Sequence, residues 1–132
     1  MLKSLMLNDD TLAIASKVDG STVWQAGKAT SKIAPNLGRK MDYIFGKASG
    51  SIHNMERSRS MGKQLSSIGI FDNQAGRAYV SERIIDSYYN STAILQDNGR
   101  YLRETMLVGD LGALKMQTIW EGENLITIFL YQ

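Results

Sequence analysis

The chain contains no cysteine, which excludes disulfides, thiolate zinc sites, iron–sulfur ligation and a cysteine nucleophile. It has a single histidine, His53, and this removes most of the remaining metal chemistry; no cofactor is expected. Long apolar runs are also missing. The longest, 125–131, is interrupted by Thr127 and falls far short of the roughly 20 residues that span a bilayer. The opening MLKSLMLNDD is broken by Asn8, Asp9 and Asp10, too early for a secretory signal. No phosphate-binding loop, dinucleotide glycine fingerprint or serine nucleophile elbow is present, so nucleotide hydrolysis and serine hydrolase chemistry lack support.

What is there is ordinary in bulk and uneven in placement. With 132 residues, 43% hydrophobic and 21% charged, the chain suits one globular domain. The formal net charge is only +2, yet residues 1–70 carry ten Lys/Arg against five acids and residues 71–132 five against eight. Between Lys28 and Lys63 eight basic residues meet only Asp42 and Glu56, with Tyr43 and His53 interleaved. That stretch is the expected anion-facing surface, although solvation alone accounts equally for such a cluster.

Residues 1–37 read as a weakly structured lead-in, with a short helix over Leu5, Leu7, Leu12 and Ile14 and then an irregular stretch punctuated by Gly20, Gly27 and Pro35. Residues 38–132 form the domain proper. Met41, Ile44 and Phe45 predict a short helix over 39–47. Met55, Met61, Leu65 and Ile68 predict a longer one from after Gly50 to Gly69, with a basic outer face. A turn over 72–76 precedes a third helix from Arg77 to Asn90. Beyond it β-branched and aromatic residues increase, and three turns, at 97–99, 109–112 and 121–124, separate strands expected at 92–96, 101–108, 113–120 and 125–131. Loops this short join only antiparallel neighbours, so the fold class is α+β: N-terminal helices packed on one face of a C-terminal four-stranded antiparallel meander. Ile126, Ile128 and Leu130 form the expected core row of the last strand; the other sheet face is left open. The seven methionines read as core packing.

Two groups of residues carry candidate chemistry. On the second helix His53, Arg57 and Ser60 fall at i, i+4 and i+7, which sets a proton-transfer group beside a guanidinium suited to phosphate. An ordinary helix-start histidine with an ion-paired arginine fits the same spacing. Lys47, one short loop away, is the alternative cation. On the strands, Glu104, Lys115, Thr118, Trp120, Thr127 and Tyr131 fall in neighbouring segments; alternation pairs Thr118 with Trp120 and Thr127 with Tyr131. Strand threonines are most often there for β propensity. Metal-free cleavage of RNA needs a base for the 2′-hydroxyl, an acid for the leaving 5′-oxygen and a cation for the phosphorane, and these residue types supply all three. DNA lacks that internal nucleophile.

The stretch GRKMDYIFGKASGSIHNMERSRSMGKQLSSIGIFDN followed by GRYLRETMLVGDLGALKMQTIWEGENLITIFLY resembles the C-terminal toxin domains of polymorphic bacterial toxins, nearest those of contact-dependent growth inhibition. The order of elements is similar to the superfamily that groups barnase, EndoU, colicin E5 and RelE ribonucleases. The resemblance covers residues 38–131 and implies a metal-independent ribonuclease, with tRNA the expected substrate. It also implies delivery into a target-cell cytoplasm as part of a larger protein, a cognate immunity protein and a possible host activator. Carried over by position, His53 and Arg57 in HNMERS lead, and Thr118 and Trp120 in TIWEG follow. The assignment places His53, Arg57, Glu104 and Thr118 in catalysis, and Lys47, Ser60, Lys115, Trp120, Thr127 and Tyr131 in substrate binding. The competing reading is a non-catalytic module that holds nucleic acid or protein through the basic segment 28–63. With so little net charge, an enzyme of this type needs shape or stacking contacts, for which Tyr43, Trp120 and Tyr131 are candidates.

Overall fold

The computed structural model describes residues 32–132 and, ahead of them, the backbone of two short strands, β1 (Trp24–Gln25) and β2 (Lys28–Ala29), paired antiparallel. The helix expected between Leu5 and Ile14 lies outside the described residues. The chain divides into two compact units between Gly38 and Arg39. In the first, the β1–β2 ribbon replaces part of the expected irregular stretch, and Ala34 adopts a left-handed φ of 53° as its carbonyl accepts from the Leu37 amide.

The second unit carries three helices and then a four-stranded antiparallel sheet. Helix α1 (Leu37–Ile44) begins before Gly38. Helix α2 (Ile52–Ser67) starts at Ser51, whose hydroxyl accepts from the Asn54 amide and satisfies one of the orphan donors of the first turn. Helix α3 (Gln74–Asn90) starts three residues earlier than the periodicity predicts, because the Asn73 side chain caps it by accepting from the Gly76 amide at 2.8 Å. The sheet order is β3 (Ile94–Leu95), β4 (Tyr101–Gly109), β5 (Gly112–Glu121) and β6 (Asn124–Tyr131), a meander as expected.

Register decides which side chains face the helices. Leu114, Met116, Thr118 and Trp120 of β5 are all buried, with Leu107 beside Leu114 on β4 and Ile128 and Leu130 beside Thr118 and Met116 on β6. Helix α3 supplies Val80, Ile84 and Ile85 to this core, and α2 supplies Met61 and Leu65. A register shift between Ile119 and Trp120 sets Leu125 opposite Trp120 and buries it, although strict alternation assigns it to the open row.

Two contacts fix the helices to the sheet. The β4–β5 hairpin meets the end of α2 so closely that a Cβ on Gly109 would stand 1.9 Å from the Ile68 carbonyl, which itself accepts from the Leu111 amide. Only glycine fits there. At the other side β6 is an edge strand whose outward carbonyls would be open to pairing with another chain. Lys40 donates to the Ile126 carbonyl at 3.0 Å and Gln64 to that of Leu130 at 3.1 Å, so side chains of α1 and α2 close the edge. Partial burial there, with Arg39 nearby, lowers the Lys40 pKa.

Candidate functional site

The face of the sheet away from the core is open and mixed in character. The pairs Glu104–Gln117, Met106–Lys115 and Leu102–Ile119 continue across β5 into Gln117–Phe129, Lys115–Tyr131 and Ile119–Thr127. Because directly paired residues share a face, Glu104, Lys115, Thr127 and Tyr131 all lie on this one, as alternation requires. Glu104 and Lys115 are both exposed and stand in diagonal register on adjacent strands. One Glu104 carboxylate oxygen accepts from the Gln117 amide at 2.6 Å, which steadies the group while Oε1 keeps no hydrogen-bond partner among the described residues. Met106 is exposed on this face, so the expectation that every methionine packs the core fails there.

Arg57 closes the row at the β6 side. Its guanidinium carbon lies 5.4 Å from the centre of the Phe129 ring and 5.9 Å from that of Tyr43, so it is held by two aromatic faces. A guanidinium held in this way keeps its five donors for an anion. Glu104, Gln117, Phe129 and Arg57 thus form one line, with Glu104 about 10 Å from Phe129 across two strand spacings. Phe129 and Gln117 were not singled out from sequence, although Phe129 shares its alternation with Thr127 and Tyr131. The Tyr131 ring tilts at 34° to that of Phe129, 6.5 Å away. His53 is exposed one turn before Arg57, and Ser60 is exposed one turn after it.

Two of the expected site residues are placed elsewhere. Thr118 and Trp120 lie on the core face, at 0% and 1% exposure. The Trp120 indole donates to the Thr118 hydroxyl at 2.7 Å, that hydroxyl lies 3.3 Å from the Arg103 carbonyl it donates to, and Ser87 of α3 meets it at 3.2 Å. Tyr88 packs edge-on against the Trp120 ring at 5.0 Å. The pair is a satisfied polar element between α3 and the sheet, with no surface for a substrate. Its position was readable from the strand itself, since Thr118 and Trp120 alternate in phase with Leu114 and Met116.

Lys47 is also removed from the open face. It donates to Asp72 at 2.7 Å, and Asp72 receives Arg77 as well, which in turn pairs with Asp42 at 3.0 Å. The hydrogen bonds from Arg77 and then Lys47 hold the Asp72 carboxyl down at about 2. Among the described residues no group of three acidic or histidine side chains is arranged to hold a metal ion, and no helix is long and apolar enough to cross a membrane.

No protein-family model and no curated protein matches the sequence. The fold is similar to that of a chain in the contact-dependent growth inhibition toxin–immunity protein complex from Klebsiella pneumoniae 342. The two are 23% identical with a TM-score of 0.55, over 70% of this chain and 94% of that one.

Proposed function

We propose that this chain is the toxin of a contact-dependent growth inhibition pair, and that it cleaves RNA, tRNA foremost, on the open face of its sheet. The observation that carries the reading is the line from Glu104 to Arg57: a carboxylate with a free oxygen, a diagonal lysine and a ring-mounted guanidinium on one unobstructed surface. The fold shared with the growth-inhibition complex supports it. In this reading Glu104 takes the proton of a 2′-hydroxyl as its oxygen attacks the adjacent phosphorus. Lys115, diagonal to Glu104, neutralises the charge that grows on the phosphorane, and Arg57 holds a neighbouring phosphate of the strand. The departing 5′-oxygen takes its proton from the Lys115 ammonium, leaving a 2′,3′-cyclic phosphate, while His53, one turn from Arg57, contacts the neighbouring phosphate. Phe129, Tyr131 and Thr127 line the path of the strand and offer stacking and hydroxyl contacts to its bases. Ser60 extends the polar flank of α2. A cognate immunity protein is the expected partner, and delivery from a larger precursor into a target-cell cytoplasm the expected route.

The test is incubation of the purified chain with total tRNA in EDTA, with products resolved on a denaturing gel. Discrete fragments ending in a cyclic phosphate are expected. Intact tRNA, even after Mg2+ and a cell extract are added to supply an activator, rejects the ribonuclease; salt-sensitive RNA binding without product would identify a binding module instead.

A further inference from the structure

The basic residues of α2 fall on two flanks. Arg59, Lys63 and Ser66 lie roughly 180–240° around the helix from Arg57, at about 100° per residue. They line a separate cleft of about 280 Å³ together with Lys47, Phe71 and Asp72. Its walls are set by a backbone crossing. Gly46, at φ 86°, passes so near Gly62 that a Cβ on Gly62 would lie 3.1 Å from the Phe45 carbonyl. The buried Ser58 hydroxyl pins the crossing, donating to the Tyr43 carbonyl at 2.6 Å and accepting from the Ala48 amide at 3.1 Å. The α1–α2 connection is therefore held in place, and Lys47 with it.

The cleft carries three cations against the one carboxylate of Asp72. Lys47 is engaged by Asp72, but the guanidinium of Arg59 and the ammonium of Lys63 have neither an ion pair nor a hydrogen bond among the described residues. One helical turn apart, they point a fork and a point charge at the same space. Across from them Phe71, 53% exposed, leaves its side chain open to a ligand in the cleft. The volume is near the lower limit of small-molecule sites, about 300 Å³, and well above the roughly 30 Å³ share of one water, so it exceeds the need of a bare inorganic anion.

We infer that this cleft is a nucleotide-binding subsite, in which Arg59 and Lys63 take the phosphate and Phe71 stacks on the base. The same chemistry is offered by a free nucleotide and by one unit of an RNA strand. The inference goes beyond the cleavage reading and needs no bond to be broken.

The experiment uses the full chain with two probes: AMP, followed by backbone amide shifts, and a fluorescent 2′-O-methyl RNA hexamer, which has no free 2′-hydroxyl, followed by anisotropy. AMP is expected to shift Gly62, Lys63, Ser66 and Phe71. The Arg59→Ala/Lys63→Ala double variant should weaken AMP at least about tenfold and Phe71→Ala about fivefold or more, with thermal midpoints unchanged. Hexamer binding that AMP competes away, and that loses the same factors, assigns the site to a strand; AMP binding with no hexamer binding at the cleft assigns it to a free nucleotide. Both uphold the subsite. It is overturned if AMP shifts none of these amides, if AMP binds as well to the double variant, or if Phe71→Ala binds AMP as tightly as the parent. A chain that cleaves no RNA yet binds AMP here loses only the cleavage reading, and one that cleaves RNA with AMP binding absent loses only the subsite.

Discussion

The two faces of β5 are one residue apart in sequence and opposite in role. Thr118 is fully buried and hydrogen-bonded on three sides, whereas Gln117 and Lys115 stand on the open face beside Glu104. The chemical type of a residue therefore says less about its function than its parity in the strand. A hydroxyl that suits a phosphodiester in isolation serves here to join α3 to the sheet, while a carboxylate in the adjacent row stands open to solvent.

Substitutions on the two faces should separate along this line. The largest stability loss is expected from Ile84→Ala, which empties the α3 side of the core and should cost about 2–5 kcal/mol in denaturant unfolding. Lys115→Ala on the open face should stay within about 0.5 kcal/mol in the same measurement. Next comes Thr118→Val. It leaves the Trp120 indole N–H unpaired in the core and should cost about 1–3 kcal/mol, with activity per folded molecule retained. A Thr118→Val protein of full stability and no activity would break the comparison.

A smaller loss than in the core concerns Asp72, outside both faces. Its carboxyl is held at about 2 in the folded chain against an ordinary value near 4, so its contribution is complete above that ordinary value and is lost as pH falls toward 2. Asp72 lies at the surface with its side chain 23% exposed and its partners partly solvated, so Asp72→Asn should cost no more than about 1 kcal/mol at pH 7. The difference between parent and variant should vanish in thermal melts near pH 2. A gap that stays constant from pH 7 to pH 2 would show that the ion pairs with Arg77 and Lys47 do not stabilise the fold.

Most of the fold was legible because turns and periodicity are local. The turns at 97–99, 109–112 and 121–124 bound β4, β5 and β6 to within a residue or two, and helices α1 and α2 follow their apolar spacing. The start of α3 was missed because its cap, Asn73, sits in a stretch that reads as turn. Of the site, the shared face of Glu104, Lys115, Thr127 and Tyr131 follows from alternation once the strands pair in register. The misplacement of Thr118 and Trp120 came from weighing residue type over phase. Long-range placement was beyond reach: the seat of Arg57 on Tyr43 and Phe129, the engagement of Lys47 by Asp72 and the crossing of Gly46 with Gly62 all join segments whose separation no local pattern encodes.

The most direct test of the open face as the working surface compares Glu104→Gln, Arg57→Ala and Thr118→Val on tRNA in EDTA, with the folded fraction of each measured alongside. The account predicts that Glu104→Gln and Arg57→Ala keep their stability, the first losing about a hundredfold or more in cleavage rate and the second about tenfold or more, while Thr118→Val loses stability and cleaves normally per folded molecule. Cleavage at parental rates by Glu104→Gln and Arg57→Ala would contradict it.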